Sequence, residues 1–349
     1  MTTTKKYHYE TATVRLPDGS RKYIRAKTKK ELEEKVLAIK LELNLGIDIS
    51  NTTTVEQLGE MWLRLVKEPK VSENTLARLE SQLRVHVYPV IGRMKVRDVK
   101  AANIYQVMTA VKDKSNGFQV QIIQTLRSLF NMAVDNDLVM KSPVPTTLTA
   151  GGEKTSEVEA LTPEQEKEML EVAEGKHIYM LVYTILNTGL RRGEFLGLMW
   201  NDIDFETGVI HVRRHVVTHQ NGMTEIVAGA KTEAGERDVP MPAALAAYLK
   251  TERAKARSVY LFTTGAGKVY STGALSTIWY NYTRQLSFPV HIHQLRHTYI
   301  TKLFEAGLDV KEIQYVAGHA NPSITLNTYT HYRKEQRQAE TMEKIRAAL

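Results

Sequence analysis

The chain has no cysteine in 349 residues. That absence excludes disulfide bridges, thiolate-bound zinc and a cysteine nucleophile together. No apolar run approaches the roughly 18 residues of a membrane-spanning helix. Residues 1–6 lack the apolar core of a secretory signal, so an intracellular protein is expected. Acidic residues are in deficit: 39 Asp plus Glu against 47 Lys plus Arg leave a net charge of +8. A polyanionic partner is implied, nucleic acid first among candidates. With 42% hydrophobic residues over this length, the chain can build a core in each of two or three domains.

Basic charge concentrates at the front. Through Lys30 there are nine Lys or Arg against only Glu10 and Asp18. Residues 9–16 and 22–26 read as strands joined across Pro17-Asp18-Gly19-Ser20, a strong turn signal. Thr28 and Glu31 then fit a capping box that opens a helix ending near Gly46. Such a ribbon is either a solvated basic hairpin or a reader of a DNA groove. Lys5, Lys6, Arg15, Arg21, Lys22, Arg25 and Lys27 are its candidate DNA contacts.

Residues 52–149 are patterned as helices. Leu58, Met61, Trp62 and Leu65, and again Ile122, Leu126, Leu129 and Phe130, recur at helical spacing and predict core. Basic residues such as Arg78 and Arg127 are scattered among them as candidate phosphate contacts. Between residues 143 and 160 the pattern lapses into a linker rich in Pro, Gly, Ser and Thr. Thr162-Pro163-Glu164-Gln165 restarts a helix, with proline at its first position and another capping box.

The third segment carries the chemistry. Ile178, Leu181, Val182, Ile185 and Leu186 form a buried face, which breaks at Thr188-Gly189 just before Arg191. Glu194, three residues on, is placed to hold the Arg191 guanidinium for an anion, or simply to form a salt bridge with it. Residues 209–217 and 224–228 read as a hairpin across His219-Gln220-Asn221-Gly222, with a third strand ending at Pro240 and Lys231 near a tip. A helix follows Pro289 and sets His293 and Arg296 on one face of its first turn. Asp309 caps the next, which stops at Gly318 and leaves His319 just beyond. A metal between His291 and His293 is disfavoured, because no carboxylate stands at useful spacing.

In order, Thr188-Gly189-Leu190-Arg191-Arg192-Gly193-Glu194, the lysine of Lys231-Thr232, His293-Gln294-Leu295-Arg296-His297, Gly318-His319 and Tyr329 resemble the signature of the tyrosine recombinases, the phage integrase family. The whole chain is similar to integrases of conjugative transposons and Gram-positive phages. The resemblance implies a multidomain α+β fold: a small sheet-plus-helix arm-binding domain (1–47), an all-α core-binding domain (52–149), and a mainly α catalytic domain with a small antiparallel sheet and a helical tail (155–349). It implies Tyr329 as nucleophile, forming a 3′-phosphotyrosyl bond, with His293 as base or proton relay. Arg191 and Arg296 would clamp the phosphate, Lys231 would be the general acid, His319 a hydrogen-bond donor, and Glu194 a support behind Arg191. Tyr332 and Lys268 are the weaker alternatives for nucleophile and acid.

No metal, ATP or other cofactor is expected, because the phosphotyrosyl bond conserves the energy of the broken phosphodiester. The partners implied are double-stranded DNA at core-type and arm-type sites, a homo-tetramer on that DNA, a DNA-bending host factor and an excision factor, all in a bacterial cytoplasm at the nucleoid. A type IB topoisomerase, a DNA-binding regulator without catalysis and a metal-dependent nuclease are the competing readings.

Overall fold

A computed structural model describes residues 9–16, 21–44, 52–153, 159–229, 236–319 and 346. The chain divides into two compact units, Met1–Ser156 and Glu157–Leu349. Among the described residues, no helix is long and apolar enough to cross a membrane.

In the first unit, β1 (Glu10–Arg15) and β2 (Arg21–Ala26) pair antiparallel, with Thr13 opposite Tyr23 and Arg15 opposite Arg21. Alternation along the strands splits the ribbon into two faces. Val14, Ile24 and Ala26 pack on Leu32 of α1 (Lys29–Asn44). Thr11, Thr13, Arg15, Arg21, Tyr23 and Arg25 stay exposed on the other face. The cap of α1 is shifted from the expected box: Thr28 accepts from the Glu31 N–H at 3.2 Å, but the Glu31 carboxylate reaches back to the Lys27 N–H at 3.0 Å.

The same unit contains α2 (Val55–Trp62), α3 (Glu73–Gln82), α4 (Ala101–Ala110) and α5 (Asn116–Asp135). Ile122, Leu126, Leu129 and Phe130 are fully buried, as are Leu58 and Trp62. Met61 and Leu65 are not; they are 44% and 62% exposed. Met61 lies on the outward side of α2, whereas for Leu65 the cause is a π-helical turn over Leu63–Lys67 that follows α2 directly. Its i→i+5 bonding shifts the helical phase, so Leu63 and Val66 turn toward the core instead. Two scattered cations also have structural partners: Arg78 donates to Gln121, and Arg127 to the carbonyls of Thr146 and Leu148 at 3.2 and 3.0 Å.

The second unit begins with α6 (Pro163–Ala173), whose capping box between Thr162 and Gln165 forms as the sequence predicts. The nearly all-buried α7 (Ile178–Thr188) and the short α8 (Arg192–Gly197) follow. Residues 209–217 do not form one strand. β4 (Val209–Val212) joins β3 (Ile203–Asp204) and β7 (Arg237–Pro240) in a sheet ordered β3-β4-β7, while β5 (Arg214–Thr218) leaves to form a separate ribbon with β6 (Thr224–Ala228). The ribbon lies against α8, where two glycines permit the approach. A Cβ on Gly193 would sit 3.0 Å from the Val216 carbonyl, and one on Gly197 would sit 3.3 Å from the His215 backbone. The chain between β6 and β7 therefore passes from one sheet to the other. Helices α9 (Ala243–Lys255), α10 (Thr272–Thr283), α11 (Ile292–Glu305) and α12 (Val310–Ala317) follow among the described residues, around a core of Leu181, Ile185, Phe195, Phe262 and Leu295.

Candidate active site

Glycine at 189 ends α7 with φ +62, and a Cβ there would meet the Tyr299 ring at 2.3 Å. The turn delivers Arg191 to the N-cap of α8 in extended conformation, φ −69 and ψ 151, rather than inside the helix. Glu194 still reaches it, and more completely than an i,i+3 helix pair would. One carboxylate oxygen accepts the Arg191 backbone N–H at 2.9 Å and the other accepts Nη1 at 2.6 Å. Arg191 Nη2 donates to the carbonyl of Gly318.

Arg296, on the first turns of α11, is 1% exposed. It donates to the carbonyls of Gly189, at 2.6 Å, and Ala317. α12 stops at Gly318, φ +64, and His319 beyond it is buried rather than exposed. A backbone bond from the His319 N–H to the Gln314 carbonyl at 3.1 Å, and one from the Gln314 amide back to the His319 carbonyl at 3.0 Å, fix that turn.

A third arginine, which sequence reasoning missed, completes the cluster. Arg237 opens β7 on its inward face, donates to both Glu194 oxygens at 3.1 and 3.0 Å, and gives its Nε–H to the Val316 carbonyl at 2.6 Å. The signal was available: strand alternation in Arg237-Asp238-Val239-Pro240 puts Arg237 on the same face as the buried Val239. The carbonyls of Val316, Ala317 and Gly318 thus each accept from a different arginine. Cations belong at the negative end of a helix dipole, and these also satisfy its last carbonyls.

Burial and like charge govern the titration of the site. Burial, then the charges of Arg296, His297 and Arg191, hold His293 below the ordinary histidine value, so it is neutral and can accept a proton. The same causes, with Arg296 and Arg191 leading the charges, bring His319 to about 3. Burial works to raise the Glu194 carboxyl, but Arg237 and Arg191 outweigh it and hold it at about 2. Arg296 is drawn down to about 9, by burial first and Arg191 second, and remains a cation at neutral pH. Three guanidiniums against one carboxylate leave the cluster at +2. Beside it opens a cleft of about 660 Å³ lined by Arg191, His215, Ser276, His291 and His293, among others. Its positive border suits an oxyanion.

Arg191, Glu194, His293, Arg296 and His319 are brought together; Lys231, Tyr329, Tyr332 and, Arg346 apart, the tail after residue 332 lie outside the described residues. Lys268 is exposed in a turn away from the cleft lining, and Tyr315 is 61% exposed on α12. Among the described residues, no three His, Asp or Glu side chains are grouped to hold a metal ion. At the other end of the chain, Arg15, Arg21 and Arg25 share the exposed ribbon face, Lys22 points to the helix side and Lys27 is exposed beyond β2, whereas Lys5 and Lys6 lie outside the described residues.

The match to known proteins is extensive. Residues 159–336 fit the phage integrase family and residues 55–149 the phage integrase central domain. A XerC-like tyrosine recombinase of Caldanaerobacter subterraneus subsp. tengcongensis is 30% identical, over 95% of this chain and 94% of its own. The transposase from transposon Tn916 of Enterococcus faecalis is also 30% identical, over 94% of this chain and 85% of its own. Among solved structures, the Tn1549 transposon integrase in complex with a circular intermediate DNA superposes with a TM-score of 0.72 at 26% identity, covering 84% of this chain and 99% of that one. A lambda integrase tetramer bound to a Holliday junction, 15% identical with a TM-score of 0.61 over 90% of this chain and 91% of its own, shares the fold. The chain belongs to the phage integrase family, the tyrosine-type site-specific DNA recombinases.

Proposed function

We propose that this recombinase integrates and excises a mobile element of the conjugative-transposon or phage kind, and that Arg191, Lys231, His293, Arg296, His319 and Tyr329 carry the chemistry. Tyr329 attacks the scissile phosphorus in line, forming a 3′-phosphotyrosyl bond as the bond to the 5′-oxygen breaks. A phenol of pKa about 10 needs its proton removed; neutral His293 takes it, directly or by relay. Lys231 gives a proton to the departing 5′-oxygen. Arg191 and Arg296 oppose the charge that builds on the non-bridging oxygens, His319 donates a hydrogen bond to one of them, and Glu194 holds Arg191 in place. Attack by a 5′-hydroxyl from another strand reverses these steps and seals the new junction, with no call on ATP or a metal.

The observation that carries this reading is the convergence of Arg191, Arg296, His293 and His319 at the end of α12, ten residues ahead of Tyr329 in sequence. The exposed Arg15, Arg21 and Arg25 support residues 1–47 as a reader of arm-type sites, with 52–149 as the core-binding domain and 155–349 as the catalytic domain. On that DNA four copies assemble, aided in excision by an accessory factor and by host bending of the DNA at the nucleoid. The direct test is supercoiled plasmid incubated with the protein in EDTA, beside Tyr329→Phe, and resolved on a denaturing gel. Relaxed circles and a covalent protein–DNA adduct, both missing in the variant, are expected. An adduct that persists in the variant moves the nucleophile to Tyr332 or Tyr315, and cutting that requires added metal replaces the reading with a nuclease.

A further inference from the structure

We infer that Arg237, which no motif of the resemblance includes, is a positioning residue for strand cleavage: it locks Glu194, and through it Arg191, to the end of α12. The inference rests on Arg191 being a phosphate-binding arginine. Arg237 itself does not line the cleft, and its side chain is 1% exposed. Its effect on the phosphate therefore passes through its neighbours.

The geometry leaves Glu194 no freedom. An ionised carboxylate has about four acceptor sites, and here all four are filled. One oxygen takes Arg191 Nη1 at 2.6 Å and Arg237 Nη1 at 3.1 Å; the other takes the Arg191 backbone N–H at 2.9 Å and Arg237 Nη2 at 3.0 Å. With Arg191 alone as partner, the carboxylate could pivot; the fork from Arg237 fixes its plane. Arg237 is in turn fixed at both ends. Its backbone sits in the sheet opposite Val212, and its Nε–H is bound to the Val316 carbonyl.

The same guanidinium borders the turn that presents His319. A Cβ on Gly318 would lie 2.9 Å from Arg237 Nη1, so glycine at that position serves both its φ of +64 and the arginine beside it. One side chain thus ties the sheet that follows residue 231 in sequence, the carboxylate behind Arg191 and the last turn of α12 into one frame. A lysine at 237 keeps the charge but cannot reach two carboxylate oxygens and a carbonyl in one plane.

The experiment compares wild type, Arg237→Lys and Arg191→Ala on a nicked duplex that traps cleavage, carrying a core-type half-site mapped by footprinting. The scissile position is either a normal phosphodiester or a methylphosphonate. The methylphosphonate lacks one anionic oxygen and needs less cationic help. Arg237→Lys is expected to slow phosphodiester cleavage on the order of 10²-fold while binding the duplex as wild type does. On the methylphosphonate its defect should shrink at least roughly tenfold, as the defect of Arg191→Ala does, because both act through charge at the phosphate. A defect of equal size on both substrates, or a wild-type rate on the phosphodiester, overturns the inference. If Arg191→Ala itself cleaves normally, the assignment of Arg191 fails first and Arg237 with it; if only Arg237→Lys cleaves normally, Arg237 alone falls. Should Arg237→Lys not fold, Glu194→Gln cuts the same link with no change of size and is judged by the same two-substrate comparison.

Discussion

The guanidinium of Arg296 lies 2.6 Å from the carbonyl oxygen of Gly189, the residue at which α7 turns toward Arg191. Two arginines 105 positions apart in the chain, 296 − 191, are thereby set on either side of one turn. Neither can shift without the other's support shifting. Removing one preorganised donor to a developing oxyanion typically lowers a rate about 10²–10³-fold. Arg191→Ala and Arg296→Ala should each lose about that much in single-turnover cleavage of a nicked core site, while gel-shift binding survives. Normal strand exchange by either variant would remove it from the catalytic set.

A glycine is required at 189 for two separable reasons. Its φ of +62 is strained for any side chain, and a Cβ would meet the Tyr299 ring at 2.3 Å. Gly175 shares the first constraint, at φ +71, but has nothing within 4 Å. Gly175→Ala should therefore cost about 1–2 kcal/mol, the left-handed strain alone, and leave cleavage intact. Gly189→Ala should cost clearly more in urea denaturation and should also slow cleavage, because the carbonyl that accepts from Arg296 moves with the backbone. Equal losses at the two positions would mean the Tyr299 contact relaxes freely.

These relationships show what the sequence can and cannot convey. Helical stripes such as Ile122, Leu126, Leu129 and Phe130 report burial directly, because one period covers the whole helix. Leu65 misled because hydropathy carries no mark of a change from i→i+4 to i→i+5 bonding. The break at Arg213 was equally silent: whether alternation continues in one sheet or passes to another depends on what packs alongside, here the glycines of α8. The order of motifs predicted Arg191, Glu194, His293, Arg296 and His319 as one site. Arg237 escaped because its partners, Glu194 and Val316, lie 43 and 79 residues away, and only folding makes that arginine part of the site.

Acid sensitivity follows from His319. Its folded value of about 3 lies below the ordinary 6.5, so between those pH values the unfolded chain binds the proton that the folded site refuses. Stability from this group is therefore complete above pH 6.5 and is lost as pH falls toward 3, with a slope of at most about 1.4 kcal/mol per pH unit. His293 is shifted the same way and contributes in the same direction. Glu194, held at about 2, adds its own loss only once pH drops below the ordinary 4.5. Denaturation midpoints of wild type and His319→Gln, compared at pH 7 and pH 5, should converge at the lower pH. A gap that stays constant would mean that His319 takes up its proton in the folded protein as readily as in the unfolded chain.

Recognition at the front of the chain is testable through salt. Arg15, Arg21 and Arg25 stand on one exposed face of a two-stranded ribbon, with Tyr23, Thr11 and Thr13 between them. The opposite face is taken up by packing on α1. If the exposed face lies on DNA, each arginine lost from a phosphate takes about 0.9 off the slope of log affinity against log salt, roughly 2.7 for all three. The triple alanine variant should show that flatter slope on arm-type DNA and an unchanged slope on a core-type duplex. The ribbon's fold is expected to survive, since none of the three contributes to its core. An unaltered slope on arm-type DNA would turn the contact away from this face, toward Lys27 and residues 1–8.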